Sequence, residues 1–316
     1  MGHFSRLLAI ANELKNSEKV KPEFLIFGDI PKKTDLSFFN IHRYHFDDDF
    51  NTKTEEILNS SQYDVVIFDL FKKKKTENLA HLLRKLKEKR IFTVSIDSLT
   101  TYLDLLDLIW IPSFYFEQKE VLAATNKINF GWNNYLLNKK YPNKEWKKGS
   151  KILVLTGASD ISNLGETLPH KLDRALPKGL EITWVRGPMS NYPDIPNESK
   201  SKWIVADSPN SLDNLFLNNN YVLAVFGVSF FEALQYGMPT VVFSPYGNKD
   251  KRELSALDKE RVASVASDID CAIDCLIELM NNDIKSKKIS NKALEKMNSN
   301  GAKNLSDEII SKIRES

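Results

Sequence analysis

Two cysteines in 316 residues, Cys271 and Cys275, leave no disulfide framework on which a fold could depend. They stand four apart on an expected helix without the companion ligands of a zinc site, so free thiols in a reducing cytoplasm are expected. No apolar run reaches the length of a membrane span. Residues 1–15 are amphipathic rather than continuously apolar, so no signal peptide is expected either. Charge of one sign is also lacking: 44 Lys and Arg against 42 Asp and Glu give +2, which offers no general attraction to nucleic acid. Short-period repeats and low-complexity tails are absent. What is present is ordinary globular composition, 42% hydrophobic and 27% charged, in a chain long enough for two domains or one large α/β domain. The expectation is a soluble cytoplasmic protein.

Short apolar, β-rich runs alternate with helical stretches, the pattern of parallel α/β layers. In the first half, strands are expected at 23–27, 40–46, 64–68, 91–96 and 108–112. A helix is expected over 77–89, with Leu79, Leu82, Leu83 and Leu86 on one face. A polar, aromatic-studded stretch near 130–150 breaks the rhythm, which restarts at KILVLTGAS, LEITWVRGP, WIVAD, YVLAVFGVS and TVVFSP. Two Rossmann-like halves follow, 1–147 and 148–316.

One more thing is missing. The opening MGHFSRLLAIANELK is a helix, with Phe4, Leu7, Leu8, Ala11 and Leu14 on one face and no strand ahead of it. In a doubly wound domain that strand lies in the centre of the sheet. The expectation is that Met1 is an internal methionine of a longer chain, and that the sheet has a vacancy between the strands at 23–27 and 64–68.

Three strand-to-helix turns in the second half carry glycine. In FGVSFFEALQYGMP, Gly227 is expected to turn the backbone so that the amides of Val228 and Ser229 open a helix toward an anion. Glu232, one turn in, can accept from sugar hydroxyls or stand as a solvated residue of an ordinary turn. LTGAS places Gly157, Ala158 and Ser159 in a second amide-lined turn. WVRGP ends a strand with Arg186 and Gly187, the arginine directed to a ligand or to solvent.

These segments, taken in order, resemble a known group. GHFSR with LLAIANEL is similar to the Gly-His-x-x-Arg opening of GT-B nucleotide-sugar enzymes of the spore-coat-polysaccharide glycosyltransferase and pseudaminic-acid-pathway UDP-sugar hydrolase group. GASDISNLGE resembles its Gly-Gly-Ser-Asp-Pro-x-Asn loop, and VRGP its Val-x-Gly-Pro. FGVSFFEALQYGMP resembles the nucleotide site shared with the lipid II N-acetylglucosaminyltransferase. YGNKDKRELSAL falls where the group has a polar loop, bringing in Asn248 and Lys249, and NSNGAKNLSDEI resembles its closing helix. Phe226 and Ala158 stand where the group has glycines.

The resemblance implies a GT-B fold, two Rossmann-like domains facing a cleft, with a nucleotide sugar, UDP-linked, as substrate and no cofactor. The first half would present the acceptor, a sugar or glycolipid, and the second would hold the donor. His3 is implied as a base; Arg6, one turn on, can contact substrate or a carboxylate. Asp69 and Asp97, at strand carboxyl ends, can orient the histidine or the acceptor, or merely cap loops. Arg186 and helix N-termini would take the place of a metal on the diphosphate. The implied activity is glycosyl transfer in surface polysaccharide or glycoconjugate synthesis. The alternatives are UDP-sugar hydrolysis and a catalytically silent sugar-nucleotide-binding protein. FDDDF, with Asp47 and Asp49, reads as a solvated acidic turn rather than a manganese site. The lysine run 72–75 reads as a solvated loop, with weak association to an anionic membrane surface as its functional reading. His42, His45, His81 and His170 lack metal-ligand spacing.

Overall fold

The alternation of β-rich runs and amphipathic helices builds parallel sheets, and the computed structural model describes them over residues 2–16, 20–30, 36–70, 79–116 and 126–315. The lysine run 72–75 lies outside the described residues. The chain divides into residues 1–138 with 299–316, and residues 139–298. The expected boundary at 147/148 is therefore corrected on two counts. Residues 139–147 belong to the second unit, and the closing helix returns to the first.

In the second unit, β7 (Lys151–Leu155), β8 (Glu181–Arg186), β9 (Lys202–Asp207), β10 (Tyr221–Val225), β11 (Thr240–Phe243) and β12 (Ser264–Val265) form one sheet in the order β12-β11-β10-β7-β8-β9. Every pairing is parallel. This is the doubly wound order, with the chain reversing its direction of travel between β7 and β10. The inner strands β7, β10 and β11 are apolar on both faces, and Ile152, Trp184, Leu223 and Phe243 are each at most 1% exposed. Around them lie α4 (Leu164–Ala175), α5 (Asp213–Asn218), α6 (Val228–Gln235), α7 (Lys251–Glu260), α8 (Ile269–Asn281) and α9 (Asp283–Lys296). Pro169 sits inside α4 and removes the bond to the Gly165 carbonyl; the Asp194 amide takes that carbonyl at 2.8 Å. Cys271 and Cys275 on α8 are free thiols, half-buried.

In the first unit, β3 (Val65–Phe68), β4 (Phe92–Ile96), β5 (Leu108–Ile111) and β6 (Ile128–Phe130) make a parallel sheet in that order, while β1 (Glu23–Phe27) and β2 (Asn40–Tyr44) pair by themselves. Among the described residues β1 and β3 share no ladder and no other strand lies between them, in line with the expected vacancy. Side chains hold the two pieces together instead. Phe4 of α1 (Gly2–Lys15) packs on Phe24, and Phe50, at the start of α2 (Phe50–Ser60), touches both Phe27 and Phe68. Helix α3 (Leu79–Glu88) buries the four expected leucines.

The face of α1 differs in part from the expectation; Ala11 is buried as expected. Ala9, Ile10 and Leu14 are buried, Ile10 and Leu14 against Leu305 and Ile309 of α10 (Gly301–Glu315), whereas Leu7 and Leu8 are half-buried. Leu7 packs on the core that α1 and α10 share with Val94, Ile96, Leu108 and Trp110 of β4 and β5. No described helix is long and apolar enough to cross a membrane.

Strands β1 and β3 each have a ladder on one side, while β7 and β10 have one on both. Hydrogen exchange followed by NMR is expected to show faster exchange in β1 and β3 than in β7 and β10. Equal protection would show that β1 and β3 are bonded on both edges.

Candidate functional site

The four residues expected to act in the first half come together. Asp69 follows β3 and Asp97 follows β4; because these strands are parallel neighbours, both carboxylates leave the same end of the sheet. Helix α1 brings His3 and Arg6, three residues apart on one face, to that end. The Asp69 side chain is completely buried. It accepts from His3 Nδ1 at 2.5 Å, and from Arg6 Nε at 3.1 Å and Nη2 at 2.7 Å. Arg6 Nη1 reaches Asp97 Oδ2 at 3.1 Å, and the Asp97 carboxylate is half exposed. Arg6 Nη2 also lies 3.1 Å from His3 Nδ1, but two donors cannot satisfy each other. The shorter contact therefore assigns the Nδ1 proton to Asp69 and the lone pair to Nε2. A partly exposed imidazole oriented by a buried carboxylate is a competent general base.

In the second unit the turns after β7 and β10 flank the reversal of strand order, where ligands of open α/β sheets bind. They are built differently. After β10, Gly227 precedes α6 with no side-chain cap, and Gly227, Val228 and Ser229 are exposed or half-buried. Phe230 N already bonds Gly227 O, so the orphan amides are those of Val228 and Ser229. The expected tight turn is corrected: Gly227 has φ 163°, an extended value open to any residue. What its lack of a side chain provides is space, since a Cβ there would meet nothing within 4 Å.

After β7, Gly157 does adopt a left-handed φ of 90° and faces open space. The expected amide-lined helix start does not follow at once, however. Helix α4 begins at Leu164, and Asp160 takes its Leu164 and Gly165 amides at 3.0 and 2.8 Å. That terminus already holds an anion of the protein's own, which leaves Ser159 as the half-buried polar group of the turn.

Arg186 and Gly187 also act locally. Arg186 Nε bonds Asp207 at 2.9 Å, its Nη1 bonds the Ser190 carbonyl, and its guanidinium lies 4.4 Å from the Tyr192 ring centroid. This arginine pins a turn instead of projecting as a bare cation. Gly187 is required by close approach, because a Cβ would sit 2.3 Å from the Ala158 carbonyl oxygen. Asn248 and Lys249 are exposed on the loop after β11, the neighbour of β10. Asp49 caps α2 through Thr52 N, and Asp48 accepts from His45 N, so the acidic run serves as a capping turn.

Comparison with solved structures adds the decisive observation. The chain superposes on MurG of Acinetobacter baumannii with a TM-score of 0.67 at 14% identity, covering 98% of this chain and 96% of that one. Phytolacca americana UGT2, solved with UDP-2fluoro-glucose and pterostilbene, gives 0.66 at 13% over 99% and 97%. A putative UDP-N-acetylglucosamine 2-epimerase of Listeria monocytogenes gives 0.61 at 15% over 98% and 95%. The chain has the GT-B fold. No family model matches it. An uncharacterised protein of Methanocaldococcus jannaschii is 28% identical across 80% of this chain, which spans about half (54%) of that relative's length.

In this GT-B chain the sequence reading missed a polar cluster behind α6. Buried Asp213 accepts from Tyr236 Oη and Ser211 Oγ, and lies close enough to influence Glu232. No motif joins residues so far apart in sequence. Thr156, ahead of Gly157, was legible in LTGAS: it is 3% exposed, and its hydroxyl meets no hydrogen-bond partner among the described residues.

Burial first, and Asp213 second, push the Glu232 carboxyl from 4.5 up to about 7. It is not the solvated glutamate of the alternative reading. The folded state thus holds a proton that the unfolded chain releases near pH 4.5. Stability contributed by this residue is highest below that pH and falls as pH rises to about 7, by about 3 kcal/mol in all. Glu232→Gln should flatten this slope in denaturant melts between pH 4.5 and about 7. An unchanged slope would place the carboxyl in water.

Proposed function

We propose that the chain is a glycosyltransferase that uses a UDP-linked sugar as donor and a sugar or glycolipid hydroxyl as acceptor, in the synthesis of a surface polysaccharide or glycoconjugate. The observation that carries this reading is the His3–Asp69 contact at 2.5 Å, a base held by a buried carboxylate in a GT-B chain. The choice of UDP is supported by two structural neighbours, Phytolacca UGT2, solved with UDP-2fluoro-glucose, and Arabidopsis UGT89C1, solved with UDP.

In this proposal residues 139–298 hold the donor. The Val228 and Ser229 amides receive the diphosphate, and the Glu232 carboxyl meets hydroxyls of the nucleotide sugar. Gly157, Ser159, Gly187, Asn248 and Lys249 shape the surrounding loops. Arg186 contributes by fixing the 187–192 turn. The first unit supplies the base. His3 Nε2 takes the proton of the acceptor hydroxyl as its oxygen bonds to the anomeric carbon. The bond from that carbon to the diphosphate oxygen breaks, and its electron pair leaves with UDP. Asp69 keeps the ring oriented and balances the imidazolium; Arg6 and Asp97 hold Asp69 and the acceptor side in place. Charge on the departing diphosphate is met by helix amides rather than a divalent ion. Water in place of the acceptor would make the same step a hydrolysis.

The test is UDP release from a panel of UDP-sugars, with and without acceptor, alongside UDP calorimetry. His3→Ala should slow UDP release by about 100- to 10,000-fold while leaving UDP affinity nearly unchanged. Release should persist in chelator. Free sugar accumulating without acceptor would assign hydrolysis. UDP binding with no turnover of any donor would make the chain a silent binder, and undiminished turnover in His3→Ala would remove the base.

A further inference from the structure

The second unit has a cavity at the other end of its sheet. Its walls are the end of α7, the residues leading into and forming β12, Cys275 of α8, and one side of α9 along its length, and its volume is about 950 Å³. Because all six strands run parallel, the amino end of β12 lies opposite the carboxyl-end turns of the candidate donor site. The cavity is of small-molecule size.

Its charge is mostly positive: six Lys and Arg side chains line it against two carboxylates, Asp258 and Glu260. Lys285, Lys292 and Lys296 each bind a glutamate, at 2.6, 2.8 and 2.7 Å. Lys259, Arg261 and Lys288 also line the cavity, are exposed, and have no carboxylate partner among the described residues. Three bare cations around one concavity repel one another, and an anion seated among them relieves that repulsion. Two observations besides the charge point to a ligand. Ser264 in the wall is 7% exposed, and its hydroxyl has no hydrogen-bond partner among the described residues. Part of the wall is apolar, formed by Ala263, Val265 and Ile289, with Asn282 as a further polar neighbour. Cys275 adds to it as a neutral thiol, pushed up to about 11 by burial first and Cys271 second.

We propose that this cavity binds a phosphate-bearing anion, its charge held by Lys259, Arg261 and Lys288 and its less polar part lying against Val265 and Ile289. The site is separate from the donor site and does not depend on the proposed activity. The phosphate can belong to a soluble compound or to a lipid headgroup, and the two sources are separable. One arm titrates the full chain with inorganic pyrophosphate by calorimetry in saturating UDP, which fills the proposed diphosphate site at α6. The other measures sedimentation with vesicles of equimolar phosphatidylcholine and phosphatidylglycerol. The variant is Lys259→Glu/Arg261→Asn/Lys288→Glu; Asn is chosen at 261 because that residue sits at φ 56°, which asparagine tolerates.

Pyrophosphate binding that weakens about tenfold or more in the variant, and falls with added salt, supports the proposal with a soluble ligand. Vesicle binding lost in the variant supports it with a lipid. UDP affinity should stay the same in both proteins, which shows that the variant is folded and the donor site intact. Failure of the wild type to bind either probe, or equal binding by wild type and variant, would overturn it.

Discussion

A single buried carboxylate ties the first unit together where its sheet does not. Strands β1 and β3 have no ladder between them, so α1 cannot rely on a continuous sheet to fix its position. Asp69, leaving the end of β3, accepts two bonds from Arg6 and one from His3, clamping the amino end of α1 to that strand. A carboxylate buried completely is tolerable only if paired, and removing one partner of such a pair costs about 3–5 kcal/mol. The same clamp decides the chemistry. It fixes which nitrogen of His3 carries the proton, and hence which can take one.

The second unit reaches its site by a different constraint. Pairing β7 with β10, strands distant in sequence, makes the chain cross to opposite faces of the sheet and opens the ends of both strands. Two helices start from those ends, and only one is available to a ligand. Asp160 occupies the start of α4, whereas α6 begins bare behind a glycine with open space before it. Glu232 stands one turn inside that bare start, in surroundings that hold it protonated to about pH 7. A hydroxyl-rich ligand would meet there a carboxyl able to donate or accept.

Much of this was legible in the sequence, for physical reasons. Short apolar, β-rich runs located the strands except β6 and β12, which are too short to show a pattern, and the lone opening helix led to the expectation that β1 and β3 do not pair. His3, Arg6, Asp69 and Asp97 could be named because parallel strands deliver their next residues to one end of a sheet. Other features were hidden because they depend on distance in space. Asp160 looked like part of an open turn until it proved to cap α4. Arg186 looked like a free cation until Asp207, from the neighbouring strand, appeared beside it. The boundary moved because Ala302, Leu305 and Ile309 of α10 match a core at the opposite end of the chain. The cluster of Asp213, Tyr236 and Glu232 leaves no local pattern to read.

Donor binding in the proposed function depends on the bare start of α6 as the place where a nucleotide diphosphate is held. An amide chemical-shift titration of the full chain with UDP tests this directly. Saturable shifts of Gly227, Val228 and Ser229, with little change at Leu164 and Gly165, are the predicted result. Saturable shifts that spare 227–229, or that centre on the acidic turn at Asp47–Asp49, would contradict it.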